Sequence, residues 1–340
     1  MKTCFRFLLV ILILSSSSCK NDIEVNAKWK EIMVVYGLLN QNDTAQYIKI
    51  NKAYLGNGNA YQMAKIYDST NYHSNELSVQ LERWKNGSLI ETNNLQRDNS
   101  ISKPAGIFAN DSNILYKTKV PLFEDSQYQL VIKNNSTGNT VRASTNLIND
   151  FVILYPKTTS QLNFARPPQP FKIQWTSSLN GRIYGCLIRF HYTEQIISSG
   201  KLSYHTIDWN LMSQTTTGLS GGESMSIDVL GETFYRYIAN RISVDPSVKR
   251  MAGGLDFIFT AGADDLNTYM AVNQPSYGII QEKPQFTNVR NGLGIFSARL
   301  NKSVFNLSLN PYSVDSLCGS IFTYNLSFCD TDRASPYYCR

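Results

Sequence analysis

The stretch PLFEDSQYQLVIKNNSTGNTVRASTN, residues 121–146, decides most about the fold. Tyr128, Leu130 and Ile132 alternate with polar residues, which is the period of a strand that buries one face. A polar turn follows at residues 134–139, and residues 140–143 alternate again. The stretch therefore predicts two antiparallel strands joined by a short turn.

This pair of strands resembles the last two strands of an immunoglobulin or fibronectin β-sandwich. Tyr128 would then take the tyrosine-corner position, with its ring buried and its hydroxyl bonded to nearby backbone. A plain two-stranded meander is the other interpretation of the same pattern. We expect the sandwich, and a first sandwich domain over residues 31–148.

The segments on either side of this stretch also have strand patterns. Asn86-Gly87 lies between two alternating segments, which is the strongest short signal for a hairpin. In the second half, residues 171–175 form a short strand pattern that ends in Trp175. A turn at Asn180-Gly181 leads into a long strand with Tyr184, Cys186 and other apolar residues on one face. We expect Trp175 in the core of a second sandwich.

Two segments of the second half have apolar residues at helical rather than strand spacing. They cover residues 231–242 and 263–272, and Asp264 and Asp265 fall in the first turn of the second segment, where the helix dipole favours acids. The predicted fold class is therefore mainly β, with two tandem immunoglobulin- or fibronectin-like β-sandwich domains. The second domain, residues 149–310, carries one or two short helices and is followed by a cysteine-containing tail, residues 311–340.

The N-terminus has the parts of a lipoprotein signal peptide over residues 1–18. Lys2 and Arg6 precede an apolar run, FLLVILIL, and four serines then lead to Cys19. That run is too short to cross a bilayer as a helix. We expect cleavage before Cys19, lipid attachment to its thiol and amine, and a polar tether over residues 19–30. An ordinary secretory signal with an incidental cysteine is the alternative.

The charge of the chain argues against a nucleic-acid partner. Loss of Lys2 and Arg6 with the signal peptide lowers the net charge of +6 by two, to +4. The nearest approach to a basic cluster is the single pair Lys249-Arg250. Nucleic-acid binding usually requires a basic patch or stripe, so we expect none here.

The cysteines predict one disulfide in the tail. Cys186 falls on the apolar face of its strand and is expected as a buried free thiol. Cys318, Cys329 and Cys339 crowd into the last 23 residues, in a compartment that permits oxidation. We expect one pair among these three, with open connectivity. A metal site is disfavoured because the tail lacks a CxxC motif and a nearby histidine.

The sequence contains no catalytic pattern that we would defend, and we predict a non-enzyme without a cofactor. His205 and Asp208 would point to opposite faces of one strand, and no GxSxG motif exists. Asp264 and Asp265 are adjacent on a helix, so a capping role is favoured over an acid/base pair. Residues 215–223 are glycine-rich but lack the phosphate-binding lysine motif, so they are expected to form a flexible loop. Contact with a ligand or partner is the minority interpretation of this loop.

Trp84 and Trp209 are the two aromatic residues that we single out as ligand or partner contacts. Trp84 lies opposite the apolar face of its strand, and Trp209 ends a strand, so either ring could be exposed for stacking. Packing in the core is the more common position of a tryptophan and is the alternative for both.

Six stretches of the chain carry a resemblance to a known family: residues 34–40, 50–56, 104–108, 189–194, 278–282 and 292–297. Together they resemble a family of Bacteroidota outer-membrane lipoproteins with a domain of unknown function. The resemblance would cover most of residues 30–310 and supplies no catalytic residues. It implies an outer-membrane, lipid-anchored location, exposed at the cell surface or facing the periplasm, and a loose association with TonB-dependent transport. We therefore expect a binding or accessory module that docks on an envelope partner or captures a nutrient; the alternative is a secreted carbohydrate- or peptide-cleaving enzyme.

Overall fold

The computed structural model describes residues 32–53, 59–104, 106, 113–165, 169–275 and 285–340. The predicted signal peptide, Cys19 and the predicted tether lie outside the described residues. The same holds for residues 278–282, and for parts of the stretches 50–56 and 104–108.

The chain is mainly β, as predicted, with several antiparallel sheets and few helices. Strands of the first half are β1 Met33–Leu39, β2 Gln46–Lys52, β3 Leu77–Lys85, β4 Ser88–Asn94, β5 Gln96–Asp98, β6 Leu115–Thr118, β7 Gln127–Asn134 and β8 Thr140–Asn146. Strands of the second half are β9 Ile153–Tyr155, β10 Phe171–Thr176, β11 Ile183–Ile196, β12 Leu202–Asn210, β13 Gln214–Thr215, β14 Ser224–Val229, β15 Val248–Gly262, β16 Gly292–Leu307 and β17 Phe328–Cys329. Helices are α1 Ala60–Met63, α2 Tyr67–Thr70, α3 Gly231–Ala239, α4 Asp264–Asn273 and α5 Pro311–Gly319, with a 3-10 turn at Tyr324–Leu326.

The described strands form three sheets. The largest has ten strands and follows the order β12-β11-β15-β16-β1-β2-β6-β5, with β13 beside β11 and β17 beside β15. A four-stranded sheet, β4-β3-β7-β8, belongs to the first half, and a three-stranded sheet, β14-β10-β9, belongs to the second. Each half thus contributes one small sheet and part of the large one.

Strand β16 joins the two halves. Its first seven residues pair in parallel with all of β1, and its later residues pair antiparallel with β15. The sequence places a domain boundary between residues 148 and 149. The large sheet consequently contains hydrogen-bonded strands from both sides of that boundary.

The tyrosine corner expected at Tyr128 is present. Tyr128 is buried, and its hydroxyl oxygen accepts a hydrogen bond of 2.8 Å from the backbone N–H of Phe123. Strand β7, on which Tyr128 lies, pairs with both β3 and β8. The stretch from 121 to 146 is therefore part of a larger antiparallel sheet.

A second tyrosine forms a similar bond in the second half. The hydroxyl of Tyr184 on β11 is fully buried and accepts a 2.8 Å hydrogen bond from the backbone N–H of Ser178. A Cβ atom on Gly181 would lie 2.0 Å from the same hydroxyl oxygen, so the turn depends on glycine there. The sequence placed Tyr184 on the apolar face without indicating this bond.

Trp175 lies in the core of the second half, as expected. Its ring centroid is 5.6 Å from that of Phe259 on β15, and Phe171 lies 5.9 Å from Phe257. These contacts pack the three-stranded sheet face to face against the large sheet.

Both predicted helices are present as α3 and α4, and Asp264 and Asp265 occupy the first turn of α4.

The cysteine predictions are confirmed for the four cysteines that the structure describes. Cys329 and Cys339 form a disulfide, while Cys186 and Cys318 are buried free thiols. Burial raises the pKa of both free thiols to about 12.

Within the described ranges, no helix is long and apolar enough to cross a membrane.

Candidate functional site

The two tryptophans predicted as contacts lie apart in the structure. Trp209 on β12 is half-buried and stacks on Tyr237 of α3 at 4.9 Å between ring centroids. Trp84 on β3 is also half-buried, and its indole N–H donates to Glu82 at 2.9 Å. Each tryptophan is therefore engaged by neighbours within its own half, and they form no common surface.

A different group of aromatic and apolar residues is strongly exposed. We call it the tail lobe and define it by Tyr312, Ile321, Tyr324 and Tyr337. Tyr312 is 71% exposed, Ile321 80% and Tyr324 66%, while Tyr337 is 39% exposed. All four fall in the segment that the sequence marked only as a cysteine-containing tail.

Helix α5 positions the first of these residues. The side chain of Asn310 caps the helix by accepting a 2.9 Å bond from the backbone N–H of Ser313, and Pro311 takes the first turn. The buried hydroxyl of Ser313 accepts from the backbone N–H of Phe164 at 2.8 Å, so this helix face is bound to the body. Tyr312 points away from that face.

The remaining members of the tail lobe collect at the C-terminal end of α5. Tyr324 donates its backbone N–H to the carbonyl of Ser320, the residue that follows the helix. The hydroxyl of Tyr337 lies against Gly319, where a Cβ atom would approach it to 2.0 Å. Tyr312 and Gly319 are seven residues apart and therefore share one face of α5. The exposed side chains thus lie on α5, just after it, or against its C-terminal end.

The tail is held on the body by a buried arginine and by the disulfide. Arg250 of β15 is 3% exposed; its guanidinium donates to the carboxylate of Glu194 at 2.8 Å and to the backbone carbonyl of Leu326 at 2.6 Å. Cys329, in the strand that pairs with β15, is bonded to Cys339. The tail lobe is therefore an ordered part of the molecule.

Along the paired strands, the tail lobe is far from the start of β1. Met33 pairs with Gly292 at the beginning of β16, Leu307 at its end pairs with Leu255, and Arg250 of β15 pairs with Phe328. At about 3.3 Å per residue, this path along the strands spans roughly 65 Å.

A polar cavity of about 150 Å³ forms a second candidate surface, between the two halves. It lies between the ends of β7 and β8, the turn at Asn180 and the N-terminus of α4. The lining residues are Gln127, Ser144, Thr145, Asn146, Asn180, Leu219, Ala263, Asp264 and Asp265.

Both carboxylates of this cavity have a partner that fixes their position. One oxygen of Asp264 accepts a 2.7 Å bond from Arg182, and one oxygen of Asp265 accepts a 2.8 Å bond from the Asn288 amide. Both partners lie outside α4, and no side chain caps the helix at Ala263, so the capping role favoured from the sequence is not observed.

The glycine-rich loop contributes Leu219 to the cavity and is held by several hydrogen bonds. The Glu223 carboxylate accepts from the backbone N–H groups of Thr217 and Gly218 at 3.0 and 2.8 Å, and these bonds lower the pKa of Glu223. Arg182 donates to the carbonyl of Thr216 at 2.8 Å. The loop is thus a fixed wall of the cavity, whereas the sequence favoured a flexible loop.

The structure contains a histidine–carboxylate pair that the sequence patterns did not indicate. The Nε2 atom of His191 lies 2.7 Å from an oxygen of Asp256, and the other oxygen accepts from the backbone N–H of Asn306 at 2.8 Å. In the described part of the chain, no hydroxyl or thiol hydrogen-bonds the imidazole. His205 instead contacts Ser203 at 2.9 Å, while Asp208 pairs with Arg189.

The structure shows no cluster that would hold a metal among the residues it describes. His191 and Asp256 lie 65 positions apart in the sequence, and only the pairing of β11 with β15 brings them together. No local motif could have predicted the pair.

The comparisons with known proteins name no relative. No family model and no curated protein matches the chain. Among solved structures, the C-terminal globular domain of an oligosaccharyltransferase from Pyrococcus abyssi aligns at 9% identity with a TM-score of 0.23. That alignment covers 62% of this chain and 42% of the other, so this chain spans about two fifths of its length. A cytokine receptor complex aligns at 11% identity over 68% of this chain and 86% of the other, with a TM-score of 0.18.

Proposed function

We propose that this protein is an outer-membrane lipoprotein, anchored through acylated Cys19, that docks on another envelope protein through the tail lobe. It would act as a non-enzymatic accessory module. The exposed aromatic surface of the tail lobe is the observation that carries this proposal. The resemblance noted in the sequence suggests a TonB-dependent transporter as the kind of partner.

Physical reasons favour protein docking at this surface. Contiguous exposed apolar patches are uncommon on soluble monomers and often mark interaction sites. Tyrosine is among the residue types that contribute most to protein–protein binding energy. Because Arg250 and the disulfide already order the tail lobe, little conformational entropy would be lost on binding.

The location of the tail lobe supports the same conclusion. A lipid on Cys19 would hold the start of β1 near the membrane, since only a short polar segment separates the two. The tail lobe, roughly 65 Å away along the strands, would then be available to a protein that projects from the same membrane.

The anchoring part of the proposal can be tested with Cys19→Ala. We expect the wild-type chain to incorporate a labelled fatty acid and to sediment with the outer membrane. The variant should incorporate none and should be released from that fraction. If the variant is labelled and sedimented like the wild type, the lipid is not on Cys19.

The docking part can be tested by photo-crosslinking in intact cells. A photoreactive residue at Tyr324 is expected to give a discrete crosslink to one envelope protein. The control is the same residue at Leu89, which is 47% exposed on the hairpin of the first half. Equal crosslinking from both positions, or none from Tyr324, would refute docking at the tail lobe.

A further inference from the structure

Seven of the nine residues that line the cavity between the two halves carry polar side chains. Amide side chains come from Gln127, Asn146 and Asn180, and a hydroxyl comes from Ser144. Two carboxylates and the N-terminus of α4 complete the wall. We propose that this cavity is a binding site for a small polyhydroxylated ligand without an anionic group, of about the size of one sugar ring.

The wall offers both acceptors and donors. Each carboxylate uses one oxygen for its protein partner, so the second oxygen of Asp264 and of Asp265 can accept from a ligand hydroxyl. Ala263 at the N-cap of α4 has no side chain that could cap the helix, which leaves first-turn N–H groups as donors. A ligand with several hydroxyl groups can donate and accept at once, and therefore fits this mixture.

The charge balance favours a neutral ligand over an anion. Arg182 compensates the charge of Asp264, whereas the partner of Asp265 is a neutral amide. The cavity therefore keeps one uncompensated carboxylate, which would repel a phosphate or a carboxylate group. A simple ammonium ligand would satisfy Asp265, but it would leave the donors of the wall unused.

The size of the cavity limits the ligand. The cavity has a volume of about 150 Å³. This is smaller than typical pockets for drug-sized molecules, which points to a single small ring. For a ligand of so few atoms, we expect an affinity in the millimolar range.

Three probes with one ring and different charges test the proposal: glucose, glucosamine and glucuronic acid. Binding to the mature protein in detergent would be followed by ligand-observed NMR. We expect glucose to bind, and glucuronic acid to bind at least about tenfold more weakly, which equals about 1.4 kcal/mol. Glucosamine should bind at least as tightly as glucose, because its ammonium can pair with Asp265. Glucuronic acid that binds as tightly as glucose would overturn the proposal, and so would the absence of binding by all three.

Two substitutions of lining residues test whether glucose binds at this cavity. Asp265→Asn should weaken glucose binding about tenfold, the size of one charge-assisted hydrogen bond. Its matched control is Asp228→Asn on β14, where the carboxylate is half-exposed, pairs with Lys172 and does not line the cavity. Ser144→Leu, at an exposed position of β8, should block the cavity without disturbing the core. Unchanged glucose binding in both cavity variants would overturn the assignment.

Discussion

At the scale of single residues, two buried tyrosine hydroxyls fix the connections between strands. The buried hydroxyl of Tyr128 could be predicted, because a clean strand alternation places this residue inward just after a polar turn. The hydrogen bond between Ser178 and the hydroxyl of Tyr184 could not be predicted, since Ser178 lies in an irregular turn without a recognisable motif. Local patterns predict which side chains are buried, and they predict polar partners only where a known motif exists.

The bond of Tyr128 leads to a prediction for stability. Tyr128→Phe leaves the backbone N–H of Phe123 without its acceptor, and we expect a loss of about 1–2 kcal/mol in the free energy of unfolding. Urea denaturation measures this loss. Tyr204→Phe is the matched control, because Tyr204 is highly exposed and should give no change. Equal midpoints for the two variants would contradict a structural role of the Tyr128 hydroxyl.

Lys49 gives a prediction for pH dependence. Its ammonium donates to the Asn113 side chain at 3.1 Å and to the carbonyl of Ile114 at 3.0 Å. Burial, and then the charge of Lys103, lower the pKa of Lys49 to about 8. Between that value and the pKa of an unfolded lysine, about 10.4, the unfolded chain binds more protons than the folded chain. The free energy of unfolding should therefore rise with pH through this window.

The test compares wild type with Lys49→Met by thermal unfolding at pH 7.5 and pH 9.5. We expect the variant to lose the part of the pH dependence that Lys49 contributes, so that the stability difference between the chains changes in favour of the wild type at the higher pH. A difference that is the same at both pH values would show that the Lys49 pKa is not lowered.

At the scale of secondary structure, β16 is the element that unites the molecule. Strands and helices such as β7, α3 and α4 follow from local apolar spacing, and the sequence predicted them. The parallel pairing of β1 with β16 joins residues about 260 positions apart, such as Val35 and Gly294. No periodicity within either strand specifies this partner.

Gly294 provides the test of this pairing. Its φ is +101°, and a Cβ atom would lie 2.0 Å from the carbonyl oxygen of Val35. Gly294→Ala should therefore force β1 and β16 apart and destabilise the fold by about 3 kcal/mol or more. Gly185→Ala on β11 is the control, because the nearest atom to its Cβ would be 3.4 Å away. A Gly294 variant as stable as this control in urea would argue against the β1–β16 register.

At the scale of the whole molecule, the tail differs from its sequence prediction, which was only that of a cysteine-containing segment. Its tyrosines and cysteines were visible, but their exposure depends on Arg250, which fixes the tail from a distant strand. The cavity likewise combines residues of both halves that no local motif connects. Trp84 and Trp209 stay predicted contacts, while the tail lobe is the more exposed aromatic surface.

The most direct test of docking is quantitative co-purification from gently solubilised outer membranes. Tagged wild-type protein should bring down one envelope protein in near-equal amount. The variant Tyr312→Ser/Tyr324→Ser should lose most of it, because truncating two aromatic contacts at a binding hot spot costs about 2 kcal/mol or more. The control Leu89→Ser/Ile90→Ser, which changes exposed residues of β4, should retain it. Wild-type protein that comes down alone, or a partner retained by the tail-lobe variant, would contradict docking through the tail lobe.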